Sequence, residues 1–334
     1  MPARGGCLVL IAAGWLLTAA HQRSIADPPD VAVPVRVARF QGDRRGAISL
    51  TFDDGLRDQL ELAVPVLDRL GFKATFFIIA GRTPETDEEA NAKRPGDWGS
   101  ISWPQIKALA AQGHEIGNHS WSHAQLTRID DAALADEVNK SFDAIAAHLG
   151  TPPITFCYPG NGFDDRVKAA ALERHLTDRE SCFDFTTTTK EDGTNVVIDR
   201  AILEGKWIVS ITHGILNGYG AYPSLKAFEG YLGYVKDRED RLWVDTCAHV
   251  FCYLRERDEA KLTFELSPGK AVVMLTSSLD AKIYNRPLTL VIAATGAKDV
   301  RAERAGVDLP VKVLDDCIHV DAVPADGPIT ITWR

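Results

Sequence analysis

The 334-residue sequence has no CxxC pair, no basic stripe, no internal repeat and no low-complexity tract. Without paired cysteines, a thiolate-built metal site is not expected. Lysine and arginine total 37 against 46 acidic residues, a net charge of −9. An acidic chain of this kind argues against nucleic acid and against an anionic membrane surface as partners, so a neutral substrate fits better. No apolar run reaches the roughly 20 residues a membrane span needs. The almost wholly apolar run from Cys7 to Ala20 follows Arg4 and precedes small residues, with Ser24 and Ala26 just before Asp27. That is the pattern of a signal peptide over residues 1–26, which predicts a secreted or periplasmic protein with no integral membrane domain beyond that segment. Five cysteines would remain after cleavage: Cys157, Cys182, Cys247, Cys252 and Cys317. Some could pair in an oxidising compartment, but an odd number leaves at least one free.

What is present is ample apolar material, 45% of residues, and an alternation of strand-like and helix-like segments. Residues 27–45 read as an extended lead-in. Strands are predicted at 47–52 (AISLTF), 73–79, 114–118, 154–157, 206–212 (KWIVSIT) and 242–245. Helices are predicted at 57–70, 103–112, 130–149, 165–175, 224–236 and 247–257, from apolar residues recurring along one face. Pro65 is expected to kink the first of these, and Gly71 to end it. Alternating strands and helices imply parallel strands with crossover helices, here in a barrel-like (β/α) arrangement. Chemistry in such folds collects at the C-terminal ends of strands. After residue 258 the pattern changes to short strand-like runs without a helix. The reading is therefore an α/β domain over 46–258 followed by a small all-β, sandwich-like domain over 259–334.

Three groups of residues carry chemistry. The first is Thr51-Phe52-Asp53-Asp54-Gly55 at a strand end. Two adjacent carboxylates repel, and burying both calls for a cation or a proton. The plainer reading is a turn in which one aspartate caps a helix. The second is His119-Ser120-Trp121-Ser122-His123. Histidines four apart share one face of a helical turn, so both imidazoles can reach one ion. Two histidines and one aspartate make three ligands and leave a fourth position open, as in catalytic zinc sites. The third is Ser210-Ile211-Thr212-His213-Gly214, where a strand-end histidine can protonate a leaving group. Trp121, Tyr158, Trp207 and Tyr219 read either as walls of a glycan groove or as core aromatics.

Taken together these residues resemble the polysaccharide deacetylases, carbohydrate esterases that share the NodB-homology domain. The resemblance runs from about Gly46 to Arg257 and rests on TFDDG at 51–55, HSWSH at 119–123, the Tyr158-Pro159-Gly160 region and the strand ending in His213. It implies a distorted (β/α) barrel with fewer strands than the usual eight. It implies a divalent metal ion, Zn2+ first among the candidates, on Asp54, His119 and His123. Asp53 would be the general base and His213 the general acid. Tyr158, Gly160 and Asn161 would border the substrate and the oxyanion, with glycine at 160 letting substrate approach the backbone. The implied reaction is hydrolysis of acetyl groups from a glycan, with an N-acetylglucosamine polymer or oligomer favoured. An O-acetyl xylan-type esterase, a non-sugar amide hydrolase of the same chemistry and a catalytically weak glycan-binding protein are the alternatives. One departure stands out: Cys157 occupies the place of the arginine that precedes the family's Pro-aromatic-Gly segment, and Gly160 the place of the aromatic. Arg200, beside Asp199, is the substitute expected from composition, Asp199 the candidate for the family's acidic residue that supports the catalytic histidine, and Trp207 the expected pocket wall. Oligomeric state is left open.

Overall fold

A computed structural model describes residues 34–92, 98–184 and 191–334. The signal segment expected over 1–26 lies outside the described residues. The parallel strands are β2 (Gly46–Asp53), β3 (Thr75–Ile78), β4 (Glu115–Asn118), β5 (Thr155–Cys157), β6 (Thr177–Arg179), β7 (Phe183–Asp184), β8 (Trp207–Thr212) and β9 (Leu242–Val244); β1 (Val35–Val37) precedes them. Their order is β6-β5-β4-β3-β2-β8-β7, and β9 also pairs with β2. All eight residues of β2 are buried, as a central parallel strand covered on both faces requires. Its first half lies against β9 and its second half against β3, while β8 runs along the other edge. The sheet therefore curls around β2 into the distorted (β/α) barrel that the sequence predicts.

Helices α1 (Val64–Leu70), α3 (Trp103–Ala111), α4 (Asp131–Leu149), α5 (Asp165–Leu172), α6 (Glu191–Glu204), α7 (Leu225–Lys236) and α8 (Cys247–Glu259) connect the strands, with the short α2 (Asp87–Asn91) before α3. Local signals set their ends. Ser102 and Gln105 form a reciprocal capping box on α3, and Asp130 caps α4. Gly71 ends α1 at φ 75°, a left-handed conformation that glycine adopts without strain. The expected kink at Pro65 is corrected: a π-helical turn over Gln59–Ala63 absorbs the irregularity, and Pro65 sits in the first turn of α1, where its missing N–H costs nothing. Leu50, Phe52, Phe76, Ile78, Ile106 and Phe228 are among the residues that fill the core between sheet and helices.

From Lys261 onward the chain is antiparallel. β10 (Lys261–Ser267), β11 (Lys270–Thr276), β13 (Arg301–Arg304), β14 (Val307–Asp308) and β17 (Ile329–Thr332) form one sheet. β12 (Leu288–Ala293), β15 (Val311–Val313) and β16 (Cys317–Ala322) form the other, joined by β1 from the lead-in. Alternate residues Ala271, Val273 and Leu275 of one sheet and Leu288, Leu290 and Ile292 of the other are fully buried. The same apolar cluster takes in Val250 and Tyr253 of α8, with Ala47 and Trp243, which ties the antiparallel sheets to the barrel. The five cysteines among the described residues are all free. None of the described helices is long and apolar enough to cross a membrane.

Two buried histidines make stability depend on pH. Burial lowers His114 and His175 to a pKa of about 4. The unfolded chain takes up these protons near pH 6.5, the folded protein only near 4. Stability is therefore full above pH 6.5 and is lost as pH falls towards 4, by up to about 3 kcal/mol for each histidine. Denaturant unfolding followed from pH 7 to 4 is expected to show this loss, and His175→Gln to flatten it.

Candidate metal and catalytic site

The strand ends bring the predicted residues together. Asp53 closes β2, and Asp54 follows in a left-handed conformation (φ 72°), then Gly55 (φ 63°). His119 leaves the end of β4, its amide held by the Ile78 carbonyl of the neighbouring strand. The expected helical turn at 119–123 is corrected. Ser120 and His123 have φ of 65° and 60°, so a tight non-helical turn delivers the second histidine. Hydrogen bonds fix that turn: Asn118 Oδ1 accepts from Ser120 N, Ser120 Oγ from His123 N, and Glu137 of α4 from the amides of Trp121 and Ser122. Of seven non-glycine residues with positive φ among those described, Asp54, Ser120, His123 and Asn161 surround this one site. Backbone strain gathered in this way is typical of functional centres.

Asp54 Oδ1 lies 3.5 Å from His119 Nε2 and 3.5 Å from His123 Nε2. It is buried and has no hydrogen-bond donor among the described residues. Ligand atoms about 2.1 Å from one tetrahedral centre lie about 3.4 Å apart, close to both of these distances, and all three ligand atoms lie within 4.8 Å of one another. His119 Nδ1 stands 2.9 Å from the Cys157 carbonyl, which requires the ring proton on Nδ1 and turns the Nε2 lone pair towards Asp54. Burial lowers the His119 pKa against the pull of Asp53 and Asp54, which favours the neutral imidazole that metal binding needs. These residues fit a divalent ion.

Asp53 lies beside that set, its Oδ2 3.9 Å from His119 Nε2. Burial alone would raise its pKa, but Arg179, His119 and His213 outweigh it and hold the carboxyl below the usual range. The pair with Arg179 is bidentate: Nη1 donates to Oδ1 and Nη2 to Oδ2, both at 2.6 Å. Arg179 also donates to Thr51 Oγ1 at 2.9 Å and to Asn161 Oδ1 at 3.3 Å, and its guanidinium lies over the Phe77 ring. Sequence reasoning missed this residue. Arg179 is the register partner of Cys157 across β5 and β6, so the arginine absent at 157 arrives on the same rung of the next strand. The small Cys157 thiol, 3.7 Å from Asp53 Oδ2, leaves the space the guanidinium crosses.

Several expected supporting residues lie elsewhere. Asp199 is an exposed residue of α6, held by Arg238 and Tyr234, and Arg200 beside it is exposed. Trp207 pairs with Ala47 at the opposite end of β2 and donates to Ser49 Oγ, so it does not wall this site. Ala47 lies six positions before Asp53, roughly 20 Å along a strand. The Tyr158 ring is wholly buried, stacked on Phe163 with its hydroxyl on Asp178, and so belongs to the core. Gly160 and Asn161 are exposed in the turn that follows, both left-handed. His213 directly follows β8, one position beyond the Phe52–Thr212 pair, half-buried, with the exposed Tyr219 ring edge-on at 5.4 Å. A cavity of about 280 Å³ opens from Asp54 and His123 between Leu56, Arg82, Trp98 and Ile101.

Comparison with known proteins agrees with this geometry. Residues 41–177 match the family model of polysaccharide deacetylases. That stretch is similar to the polysaccharide deacetylases. The matched stretch holds Asp53, Asp54, His119, His123 and the 158–161 turn, ends two residues before Arg179, and leaves His213 outside. The chain is 25% identical to a gellan lyase from a Bacillus species over 343 aligned positions, covering 88% of this chain and 13% of that protein. It is 30% identical to chitin deacetylase 1 of Cryptococcus neoformans over 129 residues, 38% of this chain and 24% of that protein. The chain thus spans less than a third of the length of these curated relatives. A solved peptidoglycan deacetylase of Bacillus subtilis, PdaC, aligns over 64% of this chain and 93% of its own, with 20% identity and a TM-score of 0.45.

Proposed function

We propose that the protein is a metal-dependent deacetylase that hydrolyses acetyl groups on a glycan, with N-acetylglucosamine units the favoured substrate. The observation that carries this reading is the buried, donorless Asp54 Oδ1 at equal distance from two imidazole nitrogens. Asp54, His119 and His123 would hold the ion, with zinc the first candidate for a two-histidine, one-carboxylate set. A divalent ion bound there supplies Lewis-acid polarisation of the acetyl carbonyl and acidifies water.

The remaining steps belong to the chain. Asp53, fixed by Arg179, is charged and stands 3.9 Å from His119 Nε2, next to the ligand set, where it accepts the proton of the attacking water. His213, from the neighbouring strand end, gives a proton to the departing amine or alkoxide. The exposed backbone at Gly160 gives the developing oxyanion an approach to the main chain. The Trp98 ring, half exposed in the cavity beside His123, offers a face for a sugar ring. Trp98→Ala is expected to raise KM on a glycan oligomer about tenfold, with kcat within a few-fold of wild type. Steady-state kinetics on a chitin oligomer measures both.

Acetate release tests the reading directly. Chito-oligosaccharides, acetylated xylan and an N-acetylated peptide are incubated with the protein, with and without a chelator. Chelator-sensitive release from the chito-oligosaccharides supports the proposal. Release from the peptide alone would move the activity off glycans, and no release from any of them would remove it.

A further inference from the structure

We infer that Gln59 and Asp58 are positioning residues that lock the His213 loop to the end of β2, and so set the proton donor against the base. Neither was singled out by the sequence, and both lie in the π-helical turn region directly after the Asp53–Asp54 pair. The Gln59 side chain is fully buried, and its single amide nitrogen donates to two backbone carbonyls: that of Asp53 at 2.6 Å and that of His213 at 2.7 Å. One group therefore spans the two residues whose relative placement the reaction needs. Asp58 completes the clamp. Its Oδ2 accepts from the amides of Ile215, Leu216 and Asn217, each at 2.8 Å, which is a backbone nest closed on a carboxylate. The turn it holds is tight: a Cβ on Gly214 would stand 1.9 Å from the Asn217 carbonyl oxygen. The Tyr222 amide reaches back to the Ile215 carbonyl and ties down the far side of the loop. Gln59 Oε1 and Asp58 Oδ1 are buried without a donor among the described residues, so both side chains spend acceptor capacity to keep this geometry. A loop that carried no aligned group would not need two buried polar side chains with unmet atoms.

The inference rests on His213 acting as the acid, and the test separates the two. Gln59→Met keeps the volume and removes both donors. Two probes are used: a chitin oligomer, whose amine needs a proton to leave, and nitrophenyl acetate, whose phenolate does not. Gln59→Met is expected to slow acetate release from the oligomer about 30- to 100-fold, with KM nearly unchanged, and to slow the nitrophenyl ester by less than about threefold. In a His213→Ala background the same change is expected to add less than about threefold, because both act through one group. Amide hydrogen exchange at 214–217 is expected to accelerate in Gln59→Met whether or not acetate is released. Asp58→Asn, which keeps the shape, is read by the same assays should Gln59→Met not fold, and is expected to show the same leaving-group bias at roughly tenfold. Equal losses on both probes, full additivity with His213→Ala, or unchanged exchange at 214–217 would overturn the inference. A wild-type protein that released acetate from neither probe would sink the deacetylase reading, while hydrogen exchange would still decide the clamp.

Discussion

Replacing Arg179 by methionine is expected to lower folding stability by about 3–5 kcal/mol and to slow acetate release at least a hundredfold. Asp53 and Arg179 are each almost wholly buried, and both carboxylate oxygens are met at 2.6 Å. Removing one partner of a buried pair leaves the other charge uncompensated, which is where the stability loss arises. The uncompensated carboxyl would then take up a proton and cease to act as a base. A general base contributes roughly 10²- to 10⁴-fold, which sets the scale of the kinetic loss. Arg179→Lys keeps the charge but not the fork, so an intermediate effect is expected. The double variant Asp53→Asn/Arg179→Met removes both charges and is expected to regain much of the stability and none of the activity. Urea unfolding of the wild type, Asp53→Asn, Arg179→Met and the double variant, with acetate assays alongside, measures the cycle. Additive stability losses in the double variant would show that the pair is not coupled.

Asp54→Ala is expected to cut metal affinity and acetate release by three orders of magnitude or more, while the metal-free protein keeps its stability to within about 1 kcal/mol. The two halves of this expectation have separate causes. Asp54 supplies the oxygen shared by both imidazoles, and two histidines alone make a poor site. In the metal-free state its buried Oδ1 has no partner, a cost of about 1–3 kcal/mol that alanine removes. Against that, position 54 has φ 72°, where alanine loses about 1–2 kcal/mol. These terms nearly cancel. Thermal unfolding with and without zinc checks the prediction: the zinc-induced rise in Tm is expected in the wild type and absent in Asp54→Ala. A variant that unfolds in the absence of metal would assign Asp54 a structural role instead.

The legible parts of the molecule were those with short-range patterns. β2 reads as a strand because AISLTF is continuous and apolar, and the acidic pair at its end has few uses. His119 and His123 read as ligands because their spacing limits their separation, even though the turn between them is not helical. The illegible parts depend on register across strands. Arg179 sits in Thr177–Arg179, three polar residues with no apolar alternation, and only the pairing of β5 with β6 brings it to Asp53. Trp207 shares a strand with the His213 end, yet β8 runs the length of the barrel and leaves the ring at the wrong end. β10 escaped notice because it is an edge strand with almost every residue exposed, so no buried face marks it. Gln59 and Asp58 look like ordinary polar positions of an amphipathic helix; the π turn rotates them inward instead.

Titration of chelator-treated protein with zinc, read as acetate released from an N-acetylglucosamine oligomer, tests the central claim most directly. The account predicts no release without metal, a rise that saturates at one zinc per chain in the wild type, and a flat response in Asp54→Ala. Full release in the presence of chelator, or an unchanged zinc response in Asp54→Ala, would contradict it.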